Sequence, residues 1–258
     1  MFESLKESNA MVYITGDTHG DVKRFNRVSF PEQRQMTKDD YVIVLGDFGV
    51  IWDYKGESRY EKHWLDWLDS KSFTTLFIDG NHENHDRLDA MSVEKWHGGK
   101  VHRIRSSVIH LMRGQIFDVE GLKLFTFGGA SSHDIKDGIL EPGDPRIKRW
   151  SNDYYKSFRV NKQSWWEREL PSESEMAEGL QNLDKVGWKV DYVLTHCASA
   201  STTTVLSQDI RDQDVLTRYL QDIKEKLTYR GWFFGHHHVD KDFFDKECCL
   251  YEQIVRLH

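Results

Sequence analysis

Short apolar runs alternate with amphipathic stretches over the first third of the chain. Residues 11–15, Tyr41–Leu45 and Thr74–Ile78 are continuously apolar or β-branched and close on Gly or Asp. They read as strands covered on both faces. Between them, residues 21–29 place Val22, Phe25 and Val28 near one helical face, and residues 58–69 place Tyr60, Trp64, Trp67 and Leu68 at helical spacing. This βαβαβ rhythm predicts a parallel sheet with helices outside it.

The texture changes near residue 101. Val108–Leu111, Gln115–Val119 and Leu122–Phe127 read as strands separated by Arg113-Gly114 and Glu120-Gly121. Hairpins are expected there, so either the sheet becomes mixed or a second sheet begins. Residues 130–171 are the least regular part, rich in Asp, Gly, Trp and Tyr. A helix follows, opened by a capping box from Ser172 to Glu175, with Met176, Leu180 and Leu183 sharing a face and Gly187 as its stop. Residues 192–194 and 232–234 read as strands, and residues 212–227 as an amphipathic helix through Val215, Leu216, Tyr219, Leu220, Ile223 and Leu227. Phe243-Phe244 and residues 250–255 are expected to close the fold as antiparallel strands.

Bulk properties narrow the class. The chain has 258 residues, 38% hydrophobic and 30% charged, which suits a soluble globular protein with a substantial core. We expect one domain over residues 1–258, with the irregular insert at about 130–171 as a candidate lid. No apolar run approaches the ~18 residues of a membrane helix, and residues 1–6 lack the layout of a secretory signal, so no membrane association and a cytoplasmic location are expected. The three cysteines, Cys197, Cys248 and Cys249, have neither zinc-finger nor disulfide-framework spacing. A net charge of −7 disfavours a broad phosphate-neutralising surface, and no stable nucleic-acid complex is expected. Arg103, Arg105, Arg146, Lys148 and Arg149 are candidates for a local basic patch, though scattered solvated charges explain them equally well.

Chemistry concentrates just past the predicted strands. The blocks are Gly16-Asp17-Thr18-His19-Gly20, Gly46-Asp47-Phe48-Gly49, Gly80-Asn81-His82-Glu83, Thr195-His196 and Gly235-His236-His237-His238. Strand ends that converge on one sheet edge bring such residues together from distant sequence. Their Asp, His and Asn side chains suit divalent ions better than a nucleophilic triad. Asp17 and His19, two residues apart, can face one side of an extended segment and share an ion. Asp47 has two oxygens and can join two ions. Asn81 offers an amide oxygen. His82, its neighbour, points the other way, which suits a general acid for a departing oxygen; Glu83 is placed to orient a neighbour. His236 and His238 repeat the two-residue spacing, leaving His237 as the non-ligand. Taken singly, each block is equally explained by turns and surface histidines. Together, Asp17, His19, Asp47, Asn81, His196, His236 and His238 suffice for two ions.

The order of these strings, from residue 16 to 238, resembles the calcineurin-like metallophosphoesterase superfamily: Gly-Asp-x-His, Gly-Asp, Gly-Asn-His-Glu, a lone His, then Gly-His-x-His. The resemblance implies an α/β fold, a two-sheet α/β/β/α sandwich with mixed sheets. It implies a first ion on Asp17, His19 and His238, a second on Asn81, His196 and His236, and Asp47 bridging. His82 would be the catalytic leaving-group histidine. A metal-bridging hydroxide would attack the phosphorus of a small-molecule or nucleotide phosphoester. Manganese is the expected occupant, with iron, zinc, nickel or cobalt as alternatives. Alternative readings are a nuclease of the same superfamily and a non-catalytic scaffold that keeps the fold.

The protein phosphatases of the superfamily carry Asp and Arg where this chain has Val50 and Ile51, Arg where it has Asp79, and two glycines where it has Cys197 and Ala198. The group that orients His82 is therefore not identified from sequence; Asp53 serves only if its loop curls back. Around the blocks, Asn84, His85 and Arg87 are candidate phosphate contacts or a solvated helix start. Asn81, His82, Arg87 and His133 are taken as the substrate-binding set, with Asp134 beside them. Trp150, Trp165 and Trp166 form a lid, an aromatic wall, or plain packing.

Overall fold

The computed structural model describes residues 10–207, 213–244 and 246–258. The chain runs β1 (Val12–Thr15), β2 (Tyr41–Leu45), α1 (Arg59–Asp69), β3 (Thr74–Ile78), α2 (His85–Asp89), β4 (Val93–Trp96), β5 (Gly99–Arg105), β6 (Val108–Leu111), β7 (Gln115–Val119) and β8 (Leu122–Phe127). It continues with β9 (Gly138–Leu140), α3 (Pro145–Trp150), β10 (Phe158–Val160), α4 (Glu173–Lys185), β11 (Tyr192–Thr195), α5 (Ala200–Ser207), α6 (Val215–Lys224), β12 (Gly231–Phe234), β13 (Lys241–Phe243), β14 (Glu247–Cys249) and β15 (Ile254–Arg256).

Among the described residues these strands form one seven-stranded sheet, ordered β15-β1-β2-β3-β6-β5-β4, one six-stranded sheet, ordered β13-β14-β12-β11-β8-β7, and a two-stranded parallel pair, β9 and β10, in the insert. β1, β2, β3 and β6 run parallel, as do β8, β11, β12 and β14; antiparallel strands flank both sets. Side-chain alternation explains why the sheets stack. Val12, Ile14, Ile43, Leu45, Leu76 and Ile78 of the first sheet pack against Phe117, Leu124, Tyr192 and Leu194 of the second. The opposite face of the first sheet, through Tyr13, Val42, Val44 and Phe77, packs on Phe25, Leu65 and Leu68. The opposite face of the second, through Phe125, Phe127, Val193 and Trp232, packs on Leu183, Leu216, Leu220 and Ile223. The result is the expected α/β/β/α sandwich, and the doubly covered central strands are mostly apolar or β-branched because both faces are buried.

Local signals largely hold. Ser58 and Glu61 close a capping box at the start of α1, and Ser172 and Glu175 do so for α4. Four expectations are corrected. Residues 21–29 give only a 3-10 turn at Val22–Phe25, because the Asn26 amide caps Lys23 O and its oxygen accepts from Val28 and Ser29 N–H; Val28 is exposed. Arg113-Gly114 is no hairpin: β6 belongs to the first sheet and β7 to the second, so this turn carries the chain across the sandwich. Leu180 of α4 is exposed. In the tail, Phe243 ends β13, which pairs antiparallel with β14 as expected, and Ile254–Arg256 pairs antiparallel with β1; the correction is that Phe244 and residues 250–253 lie outside the strands and that β14 joins β12 in parallel. Position 212 of the late helix and residues 1–6 lie outside the described residues.

Candidate metal centre

The five blocks follow β1, β2, β3, β11 and β12. Since these strands run parallel within their sheets, their carboxyl ends open onto one edge of the sandwich. The loops there are tied to one another. Thr18 and His19 N–H donate to Asp47 O at 3.1 and 2.8 Å, and Gly235 N–H to His196 O at 3.0 Å. Two bonds join the sheets: His236 N–H to Asp17 Oδ1 at 2.9 Å and His196 Nδ1 to Leu45 O at 2.7 Å. Gly46, at φ 86, and Gly80 are required by crowding. A Cβ at Gly46 would enter the His196 ring, and one at Gly80 would strike the Asp47 carboxylate.

Two groups of ligating atoms result, each with members within 4.8 Å of one another: Asp17, His19, Asp47 and His238, and Asp47, His196 and His236. Asp47 belongs to both. Its Oδ2 lies 3.7 Å from His19 Nε2, and its Oδ1 lies 3.3 Å from His196 Nε2. Asn81 Oδ1 sits 3.3 Å from the same His196 nitrogen. The donor set fits divalent cations on three observations. Asp17 Oδ2 is buried with no hydrogen-bond partner. His19 and His238 aim their Nε2 atoms at each other at 2.8 Å. His196, donating from Nδ1 to Leu45 O, turns its Nε2 toward Asp47 Oδ1 and Asn81 Oδ1, each at 3.3 Å. His19, Asp47, His236 and His238 adopt φ values of 45°, 45°, 68° and 51°, a left-handed backbone that non-glycine residues rarely adopt.

Electrostatics in the metal-free pocket report the same concentration of charge. Burial opposes ionisation of Asp47, but His196, His82 and His19 outweigh it and hold the carboxyl well below the usual range. Burial likewise pulls His196 down, and Asp47 and Asp17 more than reverse this, to about 10. His236, buried beside His196, is pushed well below the ordinary imidazole value.

His82 does not turn away from this cluster: its Nε2 lies 3.9 Å from Asp47 Oδ2 and its ring meets His19 edge-on at 4.8 Å. Its N–H donates to Asp47 Oδ1 at 2.7 Å, while its ring stacks on Trp52 at 5.4 Å and meets Arg159 Nη2 at 3.4 Å from Nε2. Arg159, from β10 of the insert, was not legible from sequence; it pairs with Asp134. Asp53 does not orient His82: its Oδ1 accepts from Lys55 N–H. Glu83 does not either. It accepts from Gly49 and Gly80 N–H at 3.1 and 2.5 Å, and burial followed by Asp47 lifts its pKa to about 8. Ser132 and Glu169 were also missed. Asn81 Nδ2 donates to Ser132 Oγ at 3.4 Å, and that hydroxyl donates to Glu169 at 2.7 Å, so the Asn81 oxygen is turned toward His196.

The other candidates scatter. His133 Nε2 lies 2.8 Å from His236 Nε2, at the rim of the cluster. Arg87 is a correction: its guanidinium bonds Glu61 at 2.8 Å and Asp53 O at 3.1 Å, bracing the loop after β2 rather than facing the cluster. Asn84 caps α2 and His85 is buried, so neither is a solvated helix start. His237 falls in neither ligand group. Trp166 is buried edge-on to Trp52 at 5.5 Å, whereas Trp150 packs on Arg146, Lys156 and Phe158 of the insert itself. Arg103, Arg105 and Arg146 are each paired with an acid, which removes them as a free basic patch. No helix among the described residues is long and apolar enough to cross a membrane.

Residues 10–240 match the family model described as calcineurin-like phosphoesterase. No curated protein matches the chain.

Proposed function

From the membership of this chain in the calcineurin-like phosphoesterase family, whose members are metal-dependent phosphoric ester hydrolases, we propose that it hydrolyses a small-molecule or nucleotide phosphoester at a two-ion centre. Asp47 carries this reading, because its two oxygens face two different ligand groups. The first group, Asp17, His19 and His238, would hold one ion, and Asn81, His196 and His236 the other, with Asp47 common to both. Bound divalent ions supply Lewis acidity and an activated water. Manganese suits this mixed oxygen and imidazole set, with iron, zinc, nickel or cobalt as competitors.

The chain's own residues do the positioning. Ser132 and Glu169 fix the Asn81 amide. Arg159, with its guanidinium beside His82, would bind a phosphoryl oxygen. His82 stands between Arg159 and the Asp47 carboxylate, at 3.4 and 3.9 Å, where a departing oxygen would receive a proton. Burial, with Arg159 adding to it, lowers the His82 pKa against the opposing pull of Asp47. In the free protein its Nε2 can therefore accept from Arg159, and protonation would accompany arrival of an anionic substrate. Three free thiols suit a reducing compartment such as the cytoplasm.

The test is metal analysis of purified protein together with turnover of matched aryl phosphate monoesters and diesters. Asp47→Ala should lose both metal and activity while keeping its circular dichroism spectrum. Undiminished turnover by that variant would refute the site.

A further inference from the structure

A cavity of about 530 Å³ opens beside His19, lined on one side by Trp52, Tyr54 and Tyr60 and on the other by Val160, Gln163 and Ser164 of the insert. Its composition restricts what it can hold. No lysine or arginine lines it, and the Glu61 carboxylate at its base is already engaged by Trp52, Asp53 and Ser58 N–H and by Arg87. Lys55 Nζ lies 5.3 Å over the Tyr54 ring and the Arg159 guanidinium 6.0 Å over Trp52, so cations flank the aromatic walls without entering the lining. The tyrosines are 47% and 55% exposed, and Tyr60 is held by its hydroxyl bond to Gly20 O at 3.1 Å. Gln163 donates its backbone N–H to Val160 O at 3.1 Å, and its side-chain amide has no hydrogen-bond partner among the described residues.

Resting on the hydrolase reading above, we propose that this cavity seats a flat, neutral heteroaromatic ring of the substrate, a nucleobase, so that the phosphoester is a nucleotide. Aromatic walls stack the ring, and Gln163 and Ser164 meet its polar edge. A purely aliphatic sugar phosphate would fill the metal edge and leave these walls wet.

The test compares the four common ribonucleoside 5′-monophosphates with ribose 5-phosphate on the manganese-loaded protein, since both present a primary sugar phosphate and differ only in the base. At least one nucleotide should show kcat/KM about ten-fold or more above ribose 5-phosphate, the scale of one stacked base. Tyr54→Ala and Gln163→Ala should erase that advantage while leaving ribose 5-phosphate turnover unchanged. Binding of the corresponding nucleosides and of ribose is measured in parallel by calorimetry, independent of turnover. Equal turnover of nucleotide and sugar phosphate, an advantage that survives both substitutions, or nucleosides binding no better than ribose would each overturn the assignment. Nucleoside binding without hydrolysis of any ester would sustain the pocket and instead sink the hydrolase reading.

Discussion

Asp79, a buried acid just ahead of the Gly80-Asn81 block, supports a quantitative prediction. The carboxylate is buried between β3 and the Gly80-Asn81 turn. Its Oδ2 accepts from Arg113 Nε and Nη2 at 2.8 and 2.5 Å, and its Oδ1 lies 3.2 Å from His110 Nε2. Burial would raise its pKa, but Arg113 and His110 outweigh that and hold it well below the carboxylate range. Arg113→Met keeps the aliphatic stem and removes the charge. It strands a buried carboxylate and leaves Arg168 O, otherwise bonded at 2.7 Å, without its donor. Breaking one side of a buried pair costs about 3–5 kcal/mol. At roughly 2 °C per kcal/mol for a chain of this size, the melting temperature should fall by about 6–10 °C. The loss should also depend on pH. With Arg113 present, the depressed Asp79 pKa contributes stability above the unfolded value near 4, lost only as pH falls through the folded one. Without Arg113, burial lifts the folded pKa above the unfolded one, so the deficit is full at pH 7 and shrinks as Asp79 protonates toward pH 5. Urea melts followed by tryptophan fluorescence at both pH values measure this. Asp79→Asn with Arg113→Met should recover part of the loss, since replacing both partners is far less costly than orphaning one. A deficit below about 1 kcal/mol, or a double variant less stable than Arg113→Met alone, would refute the reasoning.

Other outcomes follow from the same geometry. His82→Ala should slow alkyl phosphoesters about 100-fold or more and activated aryl esters far less, because proton donation matters most for basic leaving oxygens; equal losses would remove His82 from that role. Arg159→Ala should raise KM for a phosphomonoester by about ten-fold or more, the scale of a charge-assisted bond, and Arg159→Lys should restore part of it; an unchanged KM would place the guanidinium off the substrate. Manganese at about 100 times its dissociation constant should stabilise the protein by about 2.7 kcal/mol over the chelated form; calorimetric scans showing no shift would argue against binding at the folded edge. Burial, with Arg113 adding to it, holds His85 down to about 4. A lowered histidine pKa gives stability that is full above about 6.5 and falls away toward pH 4. The stability gap between the protein and His85→Gln should therefore narrow by about 3 kcal/mol between pH 7 and pH 4, and a constant gap in urea melts would sink that account.

What the sequence made legible was set by how local the signal is. The strand ends were visible because β2 and β3 are short apolar or β-branched runs buried at every position, the pattern of a doubly covered strand. The ligand blocks were visible because each is a contiguous string. The capping box at Ser172 was legible for the same reason, whereas the one at Ser58 was not read. What depended on tertiary pairing was not. β4 and β5 carry charged, half-exposed positions and escape a hydrophobic-run criterion. The turn at Arg113-Gly114 looks like a hairpin loop, yet Arg113 is recruited by Asp79 and the next strand joins the other sheet. Arg159, Ser132 and Glu169 lie in or beside the irregular insert, where no periodicity distinguishes a site residue from loop polarity. Asn26 shows the opposite error: Val22, Phe25 and Val28 have helical spacing, but a side-chain amide that bonds its own backbone ends the turn first.

The strain at the edge clarifies what the metal is needed for. Four candidate ligands sit at positive φ, each at a cost of roughly 1–2 kcal/mol. If ions alone held these loops, the metal-free edge would relax. The loops instead lock one another through bonds between protein groups: Asp47 O to Thr18 and His19, Asp17 Oδ1 to His236 N–H, Asp47 Oδ1 to His82 N–H, and Glu83 to Gly49 and Gly80. Of the two buried carboxylates, Asp17 has one oxygen engaged in this lattice, Oδ1, while the other, Oδ2, faces only the candidate ligands His238 and His19, at 3.2 and 3.7 Å. Backbone position is thus paid for by the scaffold, while charge compensation is left to a cation. Metal removal should then leave the loop geometry in place and withdraw mainly electrostatic stabilisation, so ligand-edge amides should stay protected from hydrogen exchange in the chelated protein even as its melting temperature falls. Loss of that protection on chelation, with the rest of the sandwich unchanged, would show that the ions and not the interlocked loops hold the edge together.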